Sequence, residues 1–84
     1  MANPPPDQFS SVLASVFKET REKAGLSQKR LSEISGVGRT GIVTMEAGDR
    51  IPSILICKML ADGMKVPLAN IVAEVERRLN SSRC

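Results

Sequence analysis

The sequence predicts an all-α fold of five short helices. Three observations carry that prediction. Apolar residues recur at spacings of three and four in five successive windows. Glycine or proline punctuates the gaps, at Gly25, Gly36, Gly48, Pro52 and Pro67. No apolar–polar alternation runs far enough for a sheet strand. At 84 residues the chain holds one domain, near the small end of what folds alone. Aromatic content is 2%, so the core must be aliphatic, built from Leu, Ile, Val and Met.

Residues 1–8 are expected as a disordered, proline-rich arm, because Pro4, Pro5 and Pro6 fix φ and remove backbone donors. The folded domain is placed at 9–80. Its first helix should run from Gln8 or Phe9 to Ala24. Leu13, Val16, Phe17, Thr20 and Ala24 form its apolar stripe, and Gly25 ends it.

The centre of the chain is Ser27 to Gly48. Ser27 suits an N-cap, since its hydroxyl can accept from a free N–H of the first turn. Leu31 and Ile34 sit on one face of a second helix, Gln28 to Ser35. Gly36 breaks that helix, because a sharp turn needs the left-handed conformation that glycine reaches freely. Val37 plugs the turn, and Gly38 opens a third helix, Arg39 to Ala47, with Ile42 and Met45 inward. Two short helices over a glycine turn make a helix-turn-helix.

After a loop at 49–52, Ser53 caps a fourth helix, Ile54 to about Met64. Ile54, Cys57, Leu60, Ala61 and Met64 are expected on its core face. Gly63 is expected only to weaken it, by about 1 kcal/mol relative to alanine. Val66 and Pro67 break the pattern. A fifth helix, Leu68 to about Leu79, presents Leu68, Ile71, Val72, Val75 and Leu79 on one side. Glu74, Glu76, Arg77 and Arg78 lie mainly on the other, and 81–84 are expected as a frayed tail.

The central stretch resembles the Cro and phage-repressor-like (XRE) helix-turn-helix domains. The residues that carry the resemblance are Leu26-Ser27-Gln28, Leu31-Ser32, Gly36-Val37-Gly38, Ile42 and Glu46-Ala47-Gly48, with Pro52-Ser53 and Val66-Pro67 at family spacing. It extends from about Phe17 to Ile71. The resemblance implies a lambda-repressor-like DNA-binding fold. It implies a structural ion pair between Arg21 and Glu46, and backbone contacts to DNA from Gln28 and Arg50. This chain departs from the family pattern at Thr20, where a large aliphatic residue is usual, and at Ser32, where alanine is preferred. Gly38 and Gly41 also stand where serines or longer polar residues are usual.

Catalysis is not expected. The chain has no His, Tyr or Trp, no cysteine with a base beside it, no phosphate-binding glycine loop and no metal-ligand spacing. No cofactor is expected either. No apolar run approaches the roughly 20 residues of a bilayer span, and the N-terminus lacks the features of a signal peptide, so cytoplasmic residence is the default. Cys57 reads as a small buried hydrophobe, Cys84 as part of the tail. The net charge of +3 suits a polyanionic partner without proving one.

A helix in the major groove presents its N-terminal residues to base edges. With Ile42 and Met45 inward, the outward residues Arg39, Thr40, Val43 and Thr44 are the candidate base contacts. Gln28, Lys29, Gly38 and Arg50 are the candidate phosphate contacts, which position the protein without reading sequence. Leu55, Ile56, Met59, Val75 and Leu79 look like spare apolar surface and suggest a dimer interface. The expected function is a homodimeric, sequence-specific regulator of transcription on a palindromic operator. The alternative is a protein-interaction module, antitoxin-like or adaptor, with weak DNA binding. RNA polymerase or another protein remains open as a further partner, and no membrane is expected.

Overall fold

The computed structural model describes residues 6–81. Five helices follow one another: α1 (Pro6–Lys23), α2 (Gln28–Ser35), α3 (Arg39–Glu46), α4 (Ile54–Met64) and α5 (Leu68–Ser81). No strand occurs among the described residues. Helix α1 opens at Pro6, so three residues assigned to the arm belong to the helix. Proline suits a first helical turn, where its missing N–H has no partner to lose. The remainder of the expected arm, residues 1–5, and residues 82–84 of the expected tail, with Cys84, lie outside the described residues.

The caps act as their sequence suggests. Ser27 Oγ accepts from the Arg30 N–H at 3.0 Å, and Ser53 Oγ accepts from the Ile56 N–H at 3.2 Å. Helix α4 ends differently. Lys65 closes it in the left-handed conformation with φ 61°, a place where glycine is usual.

All five helices contribute to one core. Phe17, Leu31, Ile42, Leu60, Ile71 and Val75 are its largest fully buried side chains. Full burial of such a side chain stabilises by about 1.5–3 kcal/mol. Helix α1 packs along α5 and α3, and α4 packs on α2 and α5.

Four expectations need correction. Val75 is fully buried, so it is core and not spare surface, because it lies on the buried face of α5, which packs on α1 and α4. Ile54 is 73% exposed, because it stands in the first turn of α4 on the rim of an open groove and not against the core. Ala24 lies past the end of α1 and is exposed, and Thr20 is half-buried with its hydroxyl donating to the Val16 carbonyl at 2.7 Å. Gly63 is a packing residue. A Cβ there would lie 3.0 Å from Ser35 Cβ and 3.2 Å from Leu31 Cδ1, so its bare backbone is what lets α2 and α4 approach.

Candidate nucleic-acid interface

The turn between α2 and α3 is held by two serines as well as by glycine. Gly36 takes φ 81°, and its N–H donates to the Ser32 carbonyl at 3.0 Å. The Ser32 hydroxyl donates to the Val37 carbonyl at 2.7 Å, and the Val37 N–H donates to Ser35 Oγ at 3.1 Å. Val37 itself is buried in the core. These bonds satisfy backbone groups that the turn would otherwise leave unpaired. They fix the angle at which α3 departs.

Helix α3 buries Ile42 and Met45 and leaves Arg39, Thr40 and Val43 exposed. Thr44 is half-buried. Its hydroxyl donates back to the Thr40 carbonyl at 2.9 Å and lies 3.2 Å from the Gly41 carbonyl. Its proton is therefore committed, and what Thr44 presents outward is a methyl group and acceptor lone pairs. Gly38 caps α3 without a side chain, so no hydroxyl or carboxylate competes for the first free N–H groups of the helix.

The last residue of α3 anchors it. Arg21 Nε donates to Glu46 Oε2 at 2.7 Å and Arg21 Nη2 donates to Oε1 at 3.0 Å. The two side chains are only 10% and 4% exposed. A further Arg21 N–H donates to the Leu26 carbonyl at 2.7 Å. Hydrogen bonding to Glu46 holds the Arg21 guanidinium above its ordinary pKa, against the opposing effect of desolvation. Gln28 Nε2 also donates to Glu46 Oε1, at 3.0 Å. One carboxylate thus joins α1, α2 and α3. Gln28 keeps one amide hydrogen for an outside acceptor, since its nitrogen carries two.

Lys29 and Arg50 are exposed, one beside Gln28 and one in the loop after α3. Arg50, Gly38 and Gly41 line a common surface notch of about 400 Å³. The arrangement is an outward row of side chains on α3, flanked by cations, over an apolar and ionic base.

Comparison with known proteins gives the family. Residues 17–71 match the HTH_3 family, described as helix-turn-helix. The chain belongs to the HTH_3 family. It is a DNA-binding helix-turn-helix transcription regulator of XRE type. This HTH_3 chain is 32% identical, over 54 residues, to an uncharacterized HTH-type transcriptional regulator of Bacillus subtilis (strain 168), YgzD. That similarity spans 64% of the chain and 82% of the relative. Among solved structures it is similar to the restriction-modification controller protein C.AhdI from Aeromonas hydrophila, with TM-score 0.71 and 26% identity over 74% of this chain and 94% of the other. The wild-type controller protein C.Esp1396I shares the fold, with TM-score 0.79 and 22% identity over 84% of this chain and 93% of the other.

The residues expected at a dimer interface are not placed alike in this HTH_3 domain. Leu55 is 64% exposed, whereas Ile56, Met59 and Leu79 are half-buried against the core. Met59 also sits over the turn: a Cβ on Gly36 would lie 3.6 Å from its Cε. The larger exposed apolar groups are Ile51 and Ile54, with Phe9 nearby. They border an open groove of about 490 Å³, walled also by Leu13, Leu68 and Val72. A run from Ile51 to Cys57 with no charged residue was the available signal for this face. Ser32 and Ser35 ahead of Gly36 were the signal for the serine-held turn.

Proposed function

We propose that this chain reads duplex DNA sequence-specifically with α3 and works as a homodimer on a palindromic operator in the cytoplasm. The observation that carries the reading is the outward row Arg39, Thr40 and Val43, on a helix held from behind by Ile42, Met45 and the shared Glu46. Arg39 is the principal reader. Its guanidinium suits O6 and N7 of guanine, a pairing worth about 1–3 kcal/mol of discrimination. Val43 and the Thr44 methyl suit thymine methyl groups, and Thr40 offers a hydroxyl. Gln28, Lys29, Gly38 and Arg50 hold the sugar–phosphate backbone. The Glu46 carboxylate at the end of α3 is paired with Arg21.

A single module reads too few bases for a genomic site, and a two-fold pair doubles the reading. We place the pairing face where α4 begins, at Ile51, Ile54 and Leu55 beside Phe9, with the two α3 helices about 34 Å apart. Ile56, Met59 and Leu79 would contribute only their exposed edges. The same apolar face also suits a protein-interaction module, with RNA polymerase or another protein as partner. The two readings separate on salt. Counterion release makes log affinity for DNA fall linearly with log salt, whereas an apolar protein contact is nearly salt-insensitive.

The test is selection of bound duplexes from a random pool, with wild type and Arg39→Ala in parallel. Wild type is expected to enrich a palindrome with half-sites one helical turn apart, and Arg39→Ala to lose a guanine preference. No enrichment at moderate salt sinks sequence-specific reading. Sedimentation of Ile54→Asp tests the pairing face, with loss of a wild-type dimer expected.

A further inference from the structure

The six glycines divide into two groups. Gly25, Gly36 and Gly48 have φ between 75° and 81°, a region in which other residues are strained. At Gly63 a Cβ would crowd Ser35 at 3.0 Å and Leu31 at 3.2 Å. The fold therefore requires those four. Packing does not require the other two. Gly38 has φ −59°, and a Cβ there would meet nothing within 4 Å. Gly41 is helical, and a Cβ there would meet only Val37 Cγ1 at 3.8 Å, an ordinary contact. Gly41 even weakens α3, because glycine is among the poorest helix formers.

The two glycines that packing leaves unexplained share a location. Both line the notch of about 400 Å³ between α3 and the loop that carries Arg50. Val37, Met45 and Ile51 form its apolar floor beside Arg50. We infer that Gly38 and Gly41 serve the complex and not the fold: their missing side chains let a DNA backbone segment enter the notch and reach Arg50. The inference rests on the DNA reading above. It makes Gly41 a positioning residue for α3 in the groove. Close backbone approach replaces the polar side chains that α3 lacks at these two positions. Because the contact is with sugar and phosphate, it raises affinity for every duplex alike and leaves base preference to Arg39.

The experiment uses the full chain with Gly41→Ala, Gly41→Ser and Gly38→Ala. Melting comes first. Gly41→Ala is expected to raise Tm by about 4–8 °C, since alanine strengthens the helix and displaces nothing. Binding is then read on the selected operator and on a scrambled duplex. Gly41→Ala is expected to weaken both by about tenfold or more, with their ratio unchanged. Gly38→Ala is expected to weaken both in the same way. Gly41→Ser is expected to lose as much as Gly41→Ala, because the Cβ and not the missing polarity is what the duplex excludes. Unchanged affinity in a stabilised Gly41→Ala overturns the inference, as does tighter binding by Gly41→Ser. If wild type binds no duplex at all, the DNA reading itself falls and the inference with it. Wild-type binding with indifferent alanine variants removes the inference alone.

Discussion

Glu46 accepts two hydrogen bonds from Arg21 and one from Gln28 while almost excluded from water. Such a carboxylate is tolerable only while its partners remain. Arg21→Met is expected to cost about 3–5 kcal/mol in urea denaturation, because it strands a buried negative charge. Arg21→Met with Glu46→Leu is expected to recover much of that loss, since no charge is then left unpaired. Lys65 is the opposite kind of residue. It closes α4 at φ 61° with no glycine to relieve the backbone. Lys65→Gly is expected to stabilise the domain by up to about 1 kcal/mol, read as a higher denaturation midpoint.

At the scale of elements, the contact of α2 with α4 inverts a rule of helix propensity. In an exposed helix, Gly63→Ala would gain about 1 kcal/mol. Here the added Cβ meets Ser35 at 3.0 Å, so the variant is expected to lose about 1–3 kcal/mol in the same measurement. Local features of this kind divide what was legible in the sequence from what was not. The bounds of α2 and α4, the Ser27 and Ser53 caps and the Gly36 turn follow from chemistry within four residues, and the sequence carries them openly. The Arg21–Glu46 pair is separated by 25 residues and was reached only through resemblance to a family. Contacts with no local trace went unread. Gln28 turns to Glu46, Gly63 admits Ser35, and Val75 faces the core while Ile54 does not. Each depends on which helix lies opposite, and helical spacing alone does not say that.

Over the whole molecule, the first and last helices are tied by charge. Arg78 of α5 donates to Glu19 of α1 at 2.6 Å and to Glu74 at 2.7 Å, and Arg77 also donates to Glu74. Bonds from Arg77 and Arg78 pull the Glu74 carboxyl from its ordinary value near 4.5 down to about 2. Glu19 is lowered by Arg78 in the same sense. The carboxylates are thus more acidic in the folded chain than in the unfolded one. Their contribution is present above about pH 4.5 and is lost as pH falls toward 2. Carboxyl titration by NMR should place the Glu74 midpoint near 2, and Arg78→Ala should return it toward the ordinary range. The tie is exposed, so salt should weaken it. The shared carboxylate at Glu46 has a different consequence. The helix-turn-helix, Ser27 to Gly48, looks like a cassette that could be grafted onto another scaffold. Its two helices have eight residues each, too short to persist unaided in water. The guanidinium that neutralises its last turn belongs to α1, outside the cassette. A transplant would therefore carry an orphaned acid into its host, and circular dichroism of the excised peptide should show mostly coil. The outward row of α3 can be exchanged alone, while the three-helix joint beneath it transfers only as a whole.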